Sequence, residues 1–230
     1  NTYLFFLKKS NIFRKFSDNK DGIRKIYSEY KGLKWYCKKF RINEKKVIKN
    51  FSYNKNYAFI DLYLLKGIKN KSWNSLENNY KCLIKIINHY KKIFKKTKSQ
   101  KIHGDLTFDN IFFENKKIFI FDWEFFSTKK YSWGYDLVYL TLSSVCIPFI
   151  ATGKFSKNDK ILFIKLIRYL IKIGVNKRFL KNSFLFFEKV LKNDNTFKKS
   201  VKLSKSKFFP LITPYKFKLK IIKIIKSVIT

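Results

Sequence analysis

The sequence predicts an α+β chain of two lobes. A small N-terminal lobe holds an antiparallel sheet with one helix, and a larger C-terminal lobe is mainly helical. Three observations lead there. Strand-like segments come first and segments with helical spacing dominate afterwards. The 230 residues suffice for one large domain or two small lobes. The hydrophobic fraction of 46% excludes a disordered chain. The boundary is expected between residues 1–66 and 67–230.

Tyr3–Lys8 and Asn11–Phe16 read as two short strands with a turn at Ser10-Asn11. Asp18–Gly22 is a polar break. From Ile23 the spacing turns helical, with Ile26, Tyr30, Leu33 and Cys37 on one face. Val47–Phe51 and Tyr57–Leu65 read as strands, the second ending at Gly67. Ser75–Lys96 is a long helix whose apolar face carries Leu83, Ile86, Ile87, Tyr90 and Phe94. Lys101–Leu106 leads into a loop. Ile111–Phe113 and Ile118–Phe121 form a hairpin turning at Asn115-Lys116. Asp136 opens an apolar helix. Its run from Leu137 to Ala151 is shorter than a membrane span and contains Pro148, so a buried helix is expected. Asp159–Ile173 and Arg178–Leu191 are amphipathic helices, the first stopped by Gly174. Pro210 and Pro214 bracket a loop before a basic amphipathic tail, Tyr215–Ile229.

The charge is extreme, with 52 Lys+Arg against 15 Asp+Glu and a formal net charge of +37. Such a balance suits polyanionic partners. Here, however, Lys rises together with Asn, Ile, Phe and Tyr and is scattered along the chain, as AT-rich codon usage produces. No specific nucleic-acid partner is expected on that ground. Cys37, Cys82 and Cys146 are isolated and odd in number, which argues against a disulfide framework or zinc site and for a reducing cytoplasm. The chain starts at Asn1 and contains no Met, so a missing natural start is expected.

The chemistry concentrates in one stretch. His103-Gly-Asp-Leu-Thr-Phe-Asp-Asn-Ile places Asp105 and Asn110 five apart, and Asp122 follows the hairpin in Phe-Asp-Trp-Glu. Phosphoryl transfer needs a carboxylate to orient the attacking hydroxyl and hard oxygen ligands to hold Mg²⁺ on the phosphates. Asp105 suits the first role, and Asn110 with Asp122 the second. Taken singly, an Asp or Asn is more often a turn former or cap. The ordered set Asp105, Asn110, Asp122 and Asp136 is hard to assign to chance.

These residues resemble the catalytic loop of the protein-kinase-like superfamily, in detail the aminoglycoside phosphotransferase and choline kinase branch. HGDLTFDNI, IFDWEF and WGYDL carry the resemblance, which covers about Asn11 to Ser144. It implies a two-lobe kinase fold, MgATP as phosphoryl donor and a small hydroxylated acceptor. It also implies that Lys15 steadies the phosphates and pairs with Glu29. Leu62, Tyr63 and Leu64 would offer backbone groups to adenine, and His103 and Asp136 would brace the loop. Lys15 competes for its role with Lys8, Lys9 and the reading of a solvated surface lysine. No glycine-rich loop precedes it.

Thirteen residues, 123 to 135, separate Asp122 from Asp136, leaving no room for the activation segment and Ala-Pro-Glu anchor of a protein kinase. After Asp136 the acids are Asp159, Glu188 and Asp194, too few for a polycationic aminoglycoside. Choline or ethanolamine stays open through Glu124 and the aromatics Trp123, Tyr131 and Trp133, by cation–π contact. The aromatics read as core first. Glu124 reads equally as a ligand or as an acid facing water. A sugar or anionic envelope-polysaccharide precursor suits the basic surface. Two other classes stay open: a pseudokinase-like scaffold that binds nucleotide without turnover, and a basic membrane- or nucleic-acid-associated protein. The tail from Tyr215 to Ile229 reads as a closing helix, with weak peripheral membrane contact as its alternative.

Overall fold

Strands and helices segregate along the chain in the computed structural model, which describes residues 2–64, 68–69, 72–93, 100–114, 117–192 and 208–230. The chain is α+β, with a small antiparallel sheet and a mainly helical remainder. It divides into two units. Unit 1 comprises Asn1–Ile68, Lys101–Asp105 and Phe112–Lys129; unit 2 comprises Lys69–Gln100, Leu106–Ile111 and Lys130–Thr230. The N-terminal segment thus shares unit 1 with the residues on either side of the loop at 106–111.

In unit 1, β1 (Tyr3–Leu7), β2 (Ile12–Ser17), β3 (Ile48–Tyr53) and β4 (Ala58–Tyr63) form an antiparallel sheet in the order β1-β2-β4-β3. A 3₁₀ turn over Lys8–Ser10 joins the first two strands, and Asn11 takes the left-handed conformation at φ 53°. Asparagine tolerates that region better than most residues, which is why the turn sits there. The helix α1 (Lys20–Phe40) packs on β2, β3 and β4. It begins earlier than Ile23. Asn19 caps it by accepting the Gly22 N–H, so residues 20–22, expected to be a polar break, are its first turn.

Further along, β5 (Ile68–Lys69) is followed by α2 (Leu76–Ile93), β6 (Gln100–Ile102), β7 (Ile111–Glu114) and β8 (Lys117–Ile120). β7 and β8 are paired neighbours, as the hairpin reading expects. Its turn at Asn115-Lys116, the strand end at Gly67 and the helical residues beyond Ile93, Phe94 included, lie outside the described residues, as does Asp194. A strand absent from the sequence reading, β9 (Ser127–Tyr131), pairs with β6. Its Ser-Thr-Lys-Lys stretch has none of the apolar alternation by which strands are recognised.

Unit 2 is built on α3 (Tyr135–Thr152), buried on nearly all sides. By length and composition α3 could cross a membrane, but 78% of it is buried inside the protein. It packs against α2 and α4 (Lys157–Lys172). Ser156 and Asp159 form a reciprocal capping box that starts α4. Val175 N–H bonds to Leu170 O and Gly174 N–H to Ile171 O, a Schellman stop at the glycine the sequence singles out. The helix expected over Arg178–Leu191 is two helices, α5 (Lys177–Lys181) and α6 (Ser183–Lys192). Asn182 breaks it at φ −107°, ψ 13°, with its side-chain amide donating to Arg178 O. The loop expected between the prolines contains one helical turn, α7 (Phe209–Ile212), with Pro210 in its first turn, where a missing N–H costs nothing. α8 (Tyr215–Ile229) covers the expected tail and buries Phe217, Ile221, Ile224 and Ile225 against α4 and α5.

Candidate active site

Lys15 lies on β2 opposite Ile60 of β4, while its neighbour Arg14 lies opposite Asp61. Side chains alternate along a strand, so the two cations leave opposite faces of the sheet. Arg14 pairs bidentately with Asp61 on one face. On the other, Lys15 is drawn in: its side chain is 13% exposed, and Nζ lies 2.7 Å from Glu29 Oε2 and 2.6 Å from Asp122 Oδ1. The surface-lysine reading is thereby overturned for Lys15.

Glu29 projects from α1 and is 1% exposed. Burial pushes its carboxyl up to about 7, against the pull of Lys15 and with the help of the Asp122 charge. Asp122 is also raised by desolvation, but the Lys15 ammonium outweighs that and holds it below the ordinary carboxylate value. Both carboxylates outweigh desolvation at Lys15 and hold it protonated. One cation therefore serves two acids, of which Asp122 is ionised and Glu29 titrates near neutrality.

Two features set Asp122 in place. Its backbone is left-handed at φ 62°, a conformation few non-glycine residues adopt and one that recurs at functional sites. Tyr36 of α1 donates its hydroxyl proton to Ile118 O at 3.0 Å and accepts from Ile120 N–H at 3.2 Å, which stitches the helix carrying Glu29 to the strand leading into Asp122. About a third of the Asp122 side chain stays exposed, at 33%.

His103 joins the loop to this segment. Nε2 lies 2.8 Å from Phe121 O, and the Asp105 N–H donates to Nδ1 at 3.3 Å. A carbonyl only accepts and an amide N–H only donates, so the ring is the Nε2–H tautomer. In that form it orders the backbone on both sides, at Asp105 and next to Asp122. Gly104 between them has φ 90°, and a Cβ there would meet Phe125 O at 2.7 Å. Glycine at position 104 is thus a steric requirement of this loop. Asp105 itself is 9% exposed.

The acceptor candidates fare differently. Trp123 is 0% exposed, donates Nε1–H to Ile120 O at 2.9 Å and packs against Trp35, Tyr36, His103 and Phe126. It is a core residue and cannot wall an open pocket. Trp133 is likewise buried, within unit 2. Glu124 forms an ion pair with Lys25 at 3.6 Å. Of the backbone groups expected to meet adenine, Tyr63 N–H donates to Val47 O and Leu64 N–H to Asn11 O. Leu62 lies within β4, between Phe13 and Ile48 of the flanking strands.

Asn110 and Asp136 belong to unit 2. Asn110 ends a 3₁₀ turn, Phe108–Asn110, and is buried. Asp136 opens α3 at 0% exposure and accepts the Tyr90 hydroxyl at 2.5 Å.

Among the described residues no three His, Cys, Asp or Glu side chains gather as a metal cage. Mg²⁺ does not require one, because it retains water and takes one or two protein oxygens together with substrate phosphates. An ionised, partly exposed carboxylate on a constrained backbone, as at Asp122, fits that demand. Sequence reasoning missed two contributors. Tyr36 was unmarked, and Gly32 lies in α1 where a Cβ would come within 2.5 Å of Trp123 Cβ. A glycine in mid-helix was the available signal. No protein-family model matches the chain, and no curated protein matches it in sequence.

Proposed function

We propose that this chain is an ATP-dependent phosphotransferase of protein-kinase-like fold, moving a γ-phosphate to the hydroxyl of a small molecule. The observation that carries the reading is the buried Lys15 ammonium between Glu29 and Asp122. A lysine held between a helix acid and a strand-end acid is positioned to meet phosphate oxygens, and a partly exposed Asp122 can take a metal beside it.

Bound Mg²⁺ would neutralise charge on the phosphates. Asp122 supplies one oxygen ligand, and the order of the motif assigns Asn110 as another. Lys15 donates to phosphate oxygens, and Glu29 keeps its ammonium in place. Asp105 orients the acceptor hydroxyl and receives its proton as the oxygen attacks the γ-phosphorus and the β–γ bridge breaks. His103 is a positioning residue, acting through the backbone at Asp105 and Phe121. The acceptor class favoured is choline, ethanolamine or a sugar, because acids are too few for an aminoglycoside. With Trp123 and Trp133 in the core, Glu124 and the half-buried Tyr131 are left as cation-binding candidates.

A second reading has its own support. β1 and β2 are joined by Lys8–Ser10, a link without glycine. A scaffold that binds nucleotide without turnover would need no tight phosphate loop. Thermal melting with and without MgATP tests the first reading. A ligand that binds only the native state raises Tm. A Mg²⁺-dependent rise in wild type that is lost in Asp122→Ala is expected. Equal shifts in both would remove Asp122 from the metal role, and no shift in either would remove the nucleotide site.

A further inference from the structure

Unit 2 carries a groove of about 410 Å³ lined by Lys160 of α4 and by Lys216, Leu219, Lys220, Lys223 and Ile224 of α8. Nothing in the proposed phosphotransferase reading uses it. Along α8, Lys216, Lys220 and Lys223 recur at the spacing of one helical face. Tyr215 and Leu219 form the adjacent row, at 73% and 38% exposure. The adjoining face of the same helix, with Phe217, Ile221 and Ile225, is buried against α4 and α5.

Among the described residues of this stretch acids are few. Across residues 157–192 and 208–230 the acids are Asp159 and Glu188 alone. Both are committed: Asp159 accepts from Ser156 and from Glu77 N–H, and Glu188 pairs with Lys218. Lys220 also lies over the Phe155 ring, 5.1 Å from its centroid. Four lysines thus converge on an apolar floor beside an exposed tyrosine and leucine.

We propose that this face of α8, with Lys160, docks on an anionic lipid bilayer. Phosphate-bearing headgroups would enter the groove, and Tyr215 and Leu219 would reach the acyl boundary. Charge complementarity selects an anionic surface. The exposed apolar row selects a bilayer over a nucleic-acid backbone, because polar phosphates and sugars give Tyr215 and Leu219 nothing to bury against. The proposal does not rest on the phosphotransferase reading.

The test is co-sedimentation of the full chain with vesicles of phosphatidylcholine alone and of equal parts phosphatidylcholine and phosphatidylglycerol. The anionic vesicles are expected to bind and the neutral ones not. A chain this basic will be attracted to any anionic surface, so a matched control is essential. Lys160→Gln, Lys216→Gln, Lys220→Gln and Lys223→Gln combined should weaken binding by roughly 100-fold or more, because each lysine near an anionic surface contributes roughly fivefold. Lys81→Gln, Lys85→Gln, Lys172→Gln and Lys181→Gln remove the same charge elsewhere and should weaken it only slightly. Tyr215→Ser with Leu219→Ser should weaken binding by roughly tenfold through lost apolar burial. Equal losses in the two four-lysine variants would overturn the proposal. So would a random DNA duplex whose binding is lost in the groove variant while vesicle binding is kept.

Discussion

The Lys15 ammonium lies within 2.7 Å of Glu29 Oε2 and 2.6 Å of Asp122 Oδ1, so a single cation holds an α1 acid and a strand-end acid together. Removing one partner of a buried ion pair leaves the other uncompensated, at a typical cost of roughly 3–5 kcal/mol. Lys15→Met is therefore expected to destabilise the fold by about 3 kcal/mol, since Glu29 can recover part of the loss by taking a proton. Urea unfolding of wild type and variant measures this. A change within about 0.5 kcal/mol, as surface substitutions give, would return Lys15 to the surface.

The same triad sets a pH dependence. Burial pushes the Glu29 carboxyl from its ordinary value of 4.5 up to about 7 in the folded chain. Between those values the folded chain keeps a proton that the unfolded chain releases. Its contribution is full below 4.5 and is lost as pH rises to 7. Asp122 runs the other way: its contribution is present above 3.8 and is lost as pH falls through its lowered folded value. Lys15 is raised above 10.5, so its contribution holds through the neutral range. Stability should fall between about pH 5 and pH 7, and Glu29→Gln should flatten that slope. Tm measured across this range checks it; an equal slope in the variant would assign the titration to another group.

Gly32→Ala inverts a common rule. In an exposed helix interior, alanine is favoured over glycine by about 1 kcal/mol. Here the added methyl would lie 2.5 Å from Trp123 Cβ and 2.9 Å from Phe126 Cβ. Overpacking should outweigh propensity, with a net loss of about 1–3 kcal/mol read by thermal melting. A stabilised variant would show that α1 does not approach Trp123 this closely.

Much of this was legible in the sequence, and the rest was hidden for identifiable reasons. The spacing of Asp105, Asn110 and Asp122 stood out because acids are scarce, and the hairpin and apolar helix between and after them follow plain periodicities. Lys15 was hard to single out among 52 Lys+Arg, because its distinction is a partner 107 residues away. Trp123 sits between two acids in sequence, and only the packing of Trp35, Tyr36, His103 and Phe126 shows that its ring is enclosed. The early start of α1 turned on one side-chain cap at Asn19, and the break at Asn182 on a local hydrogen bond. Neither changes the apolar pattern from which helices are read.

The central claim is that Asp105 carries phosphoryl transfer. The most direct measurement is transfer of labelled γ-phosphate from MgATP to a panel of hydroxylated acceptors, choline, ethanolamine and sugars, by wild type and Asp105→Ala with matched melting curves. A positioned base contributes roughly 10²–10⁴-fold, so wild type should label an acceptor and the folded variant should fall by that factor. Labelling at near wild-type rate by Asp105→Ala, or a nucleotide-binding wild type that labels none of the acceptors, would contradict it.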